Sequence, residues 1–174
     1  MNELFVLSEL MERPKNGYQL QMSMQNSLGH HRKVSFGVIY PLFNKFEQQG
    51  YITIKTVASP KKERIASITE QGRVHFFKLM RDPIPQGAHN DDIFLIKLDA
   101  MQHLPIEQQM NLLNDYEREQ SSIITETQLV SVYLSKKDTI DHWYANQKLK
   151  LRIQQARVTQ SWICDFKSAL RKRG

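Results

Sequence analysis

In the first 50 residues, apolar positions recur at helical spacing in three successive segments. Residues 4–11 form the first segment, and a turn signal at residues 14–17 separates it from the second, which covers residues 18–28. Ser35 is a candidate N-cap for the third helix, which Gly50 would end as a C-terminal glycine. The pattern predicts three short helices.

After Gly50 the apolar residues alternate with polar ones instead. Residues 51–57 are β-branched and alternating, residues 58–63 contain a turn with two lysines, and residues 64–68 can return as a second strand. Thr69 is placed to cap a fourth helix. Three helices, a hairpin and a helix in this order are typical of a winged helix-turn-helix that binds DNA. We therefore expect a mainly α fold that begins with such a domain and has a two-stranded wing.

The segment 82–90 holds two prolines and a glycine and is the best candidate for a domain boundary. Three further helices are predicted beyond it, at residues 91–101, 106–134 and 139–171. The predicted organisation is a DNA-binding domain at residues 1–81, a linker at 82–90 and a helical dimerisation domain at 91–174.

The two long C-terminal helices each carry an apolar stripe on an otherwise polar surface, and such stripes need partner helices. An intramolecular hairpin would satisfy them in part. A homodimer is the preferred interpretation, because one isolated hairpin buries little surface by itself. The residues predicted to form the dimer contact are Tyr116, Ile123, Val130, Leu151, Val158, Trp162 and Phe166.

Charge is distributed unevenly along the chain. Residues 1–81 carry 12 Lys and Arg against 6 Asp and Glu, whereas residues 82–174 carry 12 of each, so the whole net charge of +6 lies in the first part. A basic part of this kind is what a nucleic-acid binder presents to phosphates, although many basic domains bind nothing.

Other function classes find little support. The sequence has no run of 18 apolar residues and no basic stretch at its start, so neither a membrane span nor a secretory signal is expected. Its single cysteine, Cys164, lies inside a predicted helix without a turn to expose it as a nucleophile, and no phosphate-binding or dinucleotide-binding glycine motif occurs. The adjacent His30 and His31 lack further ligands. We expect a cytoplasmic protein that is not an enzyme and holds no cofactor or metal.

Three motifs stand in order along the first 80 residues. The segment 35–43 reads Ser-Phe-Gly-Val-Ile-Tyr-Pro-Leu-Phe and continues to a glutamate, a glycine and a strand near residue 52. Upstream, residues 14–20 read Pro-Lys-Asn-Gly-Tyr-Gln-Leu, and downstream, residues 68–73 read Ile-Thr-Glu-Gln-Gly-Arg. In this order and spacing they resemble the PadR family of transcriptional regulators. The departures are Arg13 and Asn16 in the first turn, and Ile65 and Ala66 where the family has an aromatic pair.

The resemblance implies that the third helix enters the major groove of DNA. Ser35, Gly37, Tyr40, Asn44 and Lys45 would then lie near phosphates and bases, with Tyr18 as a further phosphate contact. At the tip of the wing, Lys61, Lys62 and Arg64 would follow the backbone or enter the minor groove. Simpler readings exist: Tyr40 as a core residue, Lys45 as an ordinary solvated lysine, and the wing cations as aids to solubility.

The C-terminal half resembles the longer PadR members, which include phenolic-acid-responsive repressors, through Asp82-Pro83-Ile84-Pro85 and Asp92-Phe94-Leu95-Lys97. The implied function is repression, released by a small aromatic effector, with activation as an alternative that depends on the position of the operator. A symmetric dimer would bind a pseudo-palindromic operator in double-stranded DNA. Tyr116, Trp143 and Tyr144 are candidate effector contacts, although ordinary core or dimer packing is the simpler explanation of these aromatic residues. The alternative function is a winged-helix module that binds a protein instead of DNA.

Overall fold

The computed structural model describes residues 1–28, 36–57, 63–85, 90–136 and 140–173. It divides the chain into two compact units, Met1–Leu104 and Pro105–Gly174. Each unit has its own internal packing, and each is described separately below.

In its described residues, the first unit combines five α-helices with a small sheet. Its elements are α1 (Asn2–Glu12), β1 (Lys15–Asn16), α2 (Gly17–Leu28), α3 (Phe36–Gln48), β2 (Ile52–Val57), β3 (Glu63–Ile68), α4 (Glu70–Arg81) and α5 (Asn90–Ala100), followed by a short 3-10 helix, Met101–His103. The fold is mainly helical and contains the expected winged helix-turn-helix, which confirms the predicted class.

Side chains cap the first turns of α2 and α4, and the cap of α4 is the one that the sequence predicts. Asn16 caps α2, because its Oδ1 accepts from the backbone N–H of Gln19 at 2.9 Å while Gln19 Oε1 accepts from the Asn16 N–H at 2.9 Å. Thr69 caps α4 by accepting from the N–H of Gly72 at 3.0 Å. Gly50 ends the α3 segment at a φ of 71°, in the left-handed region that glycine tolerates.

The sheet has three antiparallel strands in the order β1-β3-β2. Strands β2 and β3 form the predicted wing hairpin, with Ile52 opposite Ile68 and Val57 opposite Glu63. The additional strand, β1, pairs Lys15 with Ala66. Two residues are too few to show a period of two, so the sequence pattern could not reveal β1.

One core holds the first unit together. It is formed by apolar side chains that are at most 2% exposed, among them Phe5, Leu7, Leu20, Ile39, Phe43, Phe46, Ile52 and Phe76. Gly72 lets α4 approach the start of the wing closely, because a Cβ there would lie 2.0 Å from the carbonyl oxygen of Tyr51. Only glycine allows this contact without a shift of the backbone.

Helix α5 lies within the first unit, whereas the sequence had placed it beyond a linker at 82–90. Its Lys97 is 4% exposed, and the ammonium donates to the carbonyl oxygens of Met80 at 3.0 Å and Asp82 at 2.6 Å. These carbonyls end α4 and need partners. Asp99 accepts a hydrogen bond from Ser27 of α2 at 2.7 Å. The proline-rich segment therefore connects two helices of one unit, and the division falls between Leu104 and Pro105.

The second unit is an antiparallel hairpin of two long helices, α6 (Ile106–Ser135) and α7 (Ile140–Arg171). Three polar contacts fix their direction along its length: Lys167 with Glu117, Gln160 with Ser121, and Ser131 with Asn146. Between the helices the buried apolar side chains are Leu112, Leu113, Tyr116, Ala156, Ile163 and Leu170.

The residues predicted to form the dimer contact differ in how far they are exposed. Tyr116 is 7% exposed and belongs to the hairpin's own core, while Ile123 and Phe166 are half-buried. The exposed members are Val130 at 48%, Leu151 at 54%, Val158 at 70% and Trp162 at 45%. Spacings of seven and four residues place Leu151, Val158 and Trp162 on one face of α7. This apolar face is uncovered in the single chain.

Candidate nucleic-acid interface

Helix α3 turns a polar face outward opposite its buried apolar face. Ile39, Phe43 and Phe46 are at most 1% exposed and point into the core. Gly37, Tyr40, Pro41, Asn44, Lys45 and Gln48 are exposed on the other side. This outer face, together with Arg64 of β3 and the start of α2, is called the α3 surface below. Pro41 has no N–H, so the carbonyl of Gly37 lacks its usual helical donor.

Tyr40 lies on the outer face, at 39% exposure, and its ring meets the edge of Phe43 at a centroid distance of 6.2 Å. The ring also covers Gly17, where a Cβ would lie 3.1 Å from the ring's Cζ. This contact brings the first turn of α2 to the α3 surface, and with it Tyr18, which is 61% exposed. Tyr40 is therefore only partly a packing residue, and its position leaves ring surface accessible to a partner.

Asn44 and Arg64 come from different elements and meet on the α3 surface. Arg64 Nη2 donates to Asn44 Oδ1 at 3.2 Å and lies 3.7 Å from Glu47 Oε2. The contact couples the outer part of the wing, where Arg64 pairs with Thr56, to the outer face of α3. When the two groups are neighbours, the guanidinium can bind a phosphate while the amide binds the edge of a base.

Lys45 is half-exposed but already has an anionic partner. Its ammonium forms an ion pair with Glu3 in the first turn of α1. The second carboxylate oxygen of Glu3 lies 3.9 Å from His75 Nε2 on α4, and His75 stacks on Tyr51 at a centroid distance of 4.3 Å. The sequence does not indicate a role for Glu3, since no local pattern links residues 42 positions apart. Glu47, in contrast, lies three residues after Asn44 on the same helix face, so helical spacing could have indicated it.

One of the basic residues counted in the first half is not available at the surface. Lys15 is 3% exposed, and its ammonium contacts the carboxylates of Glu9 and Glu12, the latter at 2.9 Å. A buried ammonium needs such partners. The basic excess of residues 1–81 therefore overstates the positive charge that a partner would meet.

Several predicted contacts lie outside the described residues. These are Ser35, at the predicted start of α3, and the wing lysines Lys61 and Lys62. Of the predicted DNA contacts that are described, the structure brings Tyr40, Asn44, Lys45 and Arg64 onto the α3 surface, with Tyr18 beside them and Gly37 exposed at its first turn.

The three candidate effector residues do not form one cluster within a chain. Tyr116 lies in the buried seam at the level of Lys167, as the neighbouring contact between Glu117 and Lys167 indicates. Trp143 and Tyr144 are 58% and 67% exposed near the other end of the hairpin, where Asn146 meets Ser131. The helical rise puts about 25 Å between the two levels.

His103 is a half-buried histidine in the short 3-10 helix of the first unit. Burial lowers its pKa below the ordinary value of 6.5, the Glu12 carboxylate raises it in part, and Arg73 lowers it. Its ring meets Phe76 edge-on at 5.9 Å, and within the described part of the chain its Nε2 has no hydrogen-bond partner.

Among the residues that the structure describes, no group of three His, Cys, Asp or Glu is arranged to hold a metal ion. None of the described helices is apolar over enough length to cross a membrane.

Comparisons with known proteins identify a matching family and several similar structures. Residues 6–78 match the model of the transcriptional regulator PadR-like family. Among solved structures, Bacillus subtilis PadR in complex with operator DNA is similar at 18% identity, over 97% of this chain and 98% of that chain, with a TM-score of 0.45. The PadR-like regulator BC1756 from Bacillus cereus is similar at 20% identity, over 100% of both chains, with a TM-score of 0.43. Bacillus subtilis PadR in complex with p-coumaric acid is similar at 17% identity, over 97% of both chains, with a TM-score of 0.42. No curated protein matches significantly.

Proposed function

We propose that the chain binds a specific operator sequence in double-stranded DNA through the α3 surface, because residues 6–78 match the model of the PadR-like family of transcriptional regulators. The observation that carries the proposal is the exposed polar face of α3, on which Asn44 and Lys45 stand beside Arg64 of the wing. An amide suits the edge of adenine in the major groove, and the two cations suit phosphates.

The binding mode follows from the same surface. Helix α3 enters the major groove, with Gly37 allowing close approach and Tyr40 and Asn44 facing the bases. Tyr18, at the first turn of α2, contacts a phosphate, as Ser35 does at the start of α3. The wing lysines Lys61 and Lys62 contact DNA phosphates in this proposal.

Two copies act together in this proposal. The uncovered apolar face of α7, with Leu151, Val158 and Trp162, together with Val130 on α6, supports a homodimer. A symmetric dimer places two α3 helices in successive major grooves, which requires a pseudo-palindromic operator. The regulator acts in the cytoplasm.

Repression with release by a small aromatic acid is the finer part of the proposal. Its support is the sequence resemblance to phenolic-acid-responsive repressors and the exposed rings of Trp143 and Tyr144, which meet at a centroid distance of 4.9 Å. An effector releases DNA only if it binds the DNA-free arrangement more tightly. Along the hairpin, Tyr116 lies about 25 Å from these two rings. It can therefore line the same effector site only if it comes from another chain.

The test is binding of the full chain to its own promoter region and to random duplex across a salt series, with and without hydroxycinnamic acids. Preference for the promoter and a steep salt dependence are expected. Release by a phenolic acid supports the effector, and binding without release removes it. Absence of salt-dependent binding to either duplex contradicts the DNA-binding proposal and favours a winged-helix module that binds a protein.

Two substitutions assign roles on the α3 surface. Asn44→Ala reduces preference for the promoter with little change in the salt slope, because an amide reads bases. Lys45→Met weakens binding to both duplexes and reduces the salt slope by about one, because an ammonium contacts phosphate. Lys148→Met removes an exposed lysine of α7 and serves as the matched control, with binding unchanged.

A further inference from the structure

We propose that Glu3 is an internal competitor of DNA for Lys45. In the DNA-free protein the Glu3 carboxylate holds the Lys45 ammonium, and this ion pair lowers the affinity of the chain for duplex DNA of any sequence. The inference rests on the proposed function, because it requires Lys45 to contact a phosphate.

The geometry supports a contact that can open. The side chains of Lys45 and Glu3 are 50% and 35% exposed, so water and a phosphate can both reach the ammonium. Glu3 stands in the first turn of α1, and its other oxygen lies 3.9 Å from His75 Nε2 of α4. Glu3 stands on α1, which packs against α4. Its carboxylate therefore keeps a neighbour on α4 when Lys45 turns away.

The pair contributes little to stability. Exposed ion pairs between long side chains are screened by water and salt and lose side-chain entropy when they form. Its larger consequence concerns binding, since an ammonium that leaves a carboxylate for a phosphate exchanges one anion for another. The binding free energy gained from the phosphate contact is reduced by the free energy lost with the ion pair. This reduction is the same for every DNA sequence.

The second cation of the α3 surface is less sensitive to such competition. Arg64 lies 3.7 Å from Glu47 and donates to Asn44 at 3.2 Å. A guanidinium has five N–H donors in a planar fork, so Arg64 can keep one of these contacts and still reach a phosphate. Lys45 is a point charge close to its carboxylate, and Glu3 therefore has the stronger effect.

The experiment measures binding of full-length Glu3→Gln to a random-sequence duplex over a salt series. We expect about threefold tighter binding than wild type at low salt, with a gain that shrinks as salt rises, because the lost pair is an exposed one. In a Lys45→Met background, Glu3→Gln produces no gain. Glu107→Gln makes the same charge change in the first turn of α6, and its effect is clearly smaller.

The outcomes separate the two levels of inference. Wild type that binds duplex with a normal salt slope, while Glu3→Gln binds no tighter, overturns the competitor role and leaves the proposed function intact. A gain that persists in the Lys45→Met background overturns it as well, because the effect is then general charge. Wild type without salt-dependent duplex binding overturns both proposals. Chemical unfolding of each variant checks that the fold is unchanged.

Discussion

The two units of the chain differ in how completely they bury their apolar residues. In Met1–Leu104, large side chains such as Phe43 and Phe76 are 0% exposed, and helices and sheet enclose one core. In Pro105–Gly174, two helices bury one seam, while Leu151 and Val158 stay 54% and 70% exposed. Two antiparallel helices can cover only one face of each other. The first unit therefore has the packing of an independent domain, whereas the second leaves an apolar face exposed in the single chain.

The same chemical change in the two units should have very different effects. Leu20 is 0% exposed in the first unit, and Leu20→Ala is expected to reduce the free energy of unfolding by about 2–5 kcal/mol, at any protein concentration, because it leaves a cavity. Leu151→Ala is expected to change it by less than about 0.5 kcal/mol in dilute protein, with a loss that grows as concentration rises. Urea unfolding at several concentrations measures both. Equal losses would contradict the difference between the units.

A charge on the uncovered face of α7 tests whether another copy covers it. Val158→Glu is expected to raise the dimer dissociation constant about 100-fold, since a carboxylate would be buried at the contact. Sedimentation across a concentration series provides the measurement. The matched control is Val74→Glu, at a position that is 61% exposed on α4 of the first unit, and this variant should keep the wild-type association. A monomeric wild type would remove the dimer from the proposed function.

The boundary between the two units at Leu104 can be tested with Lys97, the lysine of α5 that caps the end of α4. Lys97→Met removes the ammonium that donates to Met80 and Asp82, so the expected loss in the free energy of unfolding is about 1–3 kcal/mol. Lys148→Met, at an exposed position of α7, should stay within about 0.5 kcal/mol of wild type. A Lys97 variant as stable as wild type would show that α5 is not an energetic part of the first unit.

His103 gives the smallest expected effect, a pH dependence of the first unit. Its pKa in the folded chain is below 6.5 because of burial. As pH falls through 6.5 the unfolded chain binds a proton before the folded chain does, so this group lowers stability at acidic pH. The free energy of unfolding of His103→Gln should fall less between pH 7 and pH 5 than that of wild type. Parallel pH profiles would exclude the contribution of His103.

Local patterns predicted most elements because each is encoded by neighbouring residues. The Thr69 cap, the Gly50 ending and both long helices were predicted from spacing and capping residues, and the structure confirms them. The linker at 82–90 was also predicted from a local pattern, its prolines and glycine. In the structure, these prolines lie between two helices of one unit. α5 belongs to the first unit, where the Lys97 ammonium donates to carbonyl groups at the end of α4. The spacing of residues along the chain cannot predict such a contact.

By itself, the sequence of this protein determined the helix-helix-helix-hairpin-helix order and the resemblance of residues 35–52 and 68–73 to the PadR family, because periodicity, caps and motifs act over a few residues. The tertiary structure alone decided that β1 completes the sheet and that Tyr40 faces outward over Gly17. It also decided that Glu3 meets Lys45, since ion pairs and burial join residues that the chain separates by 42 positions.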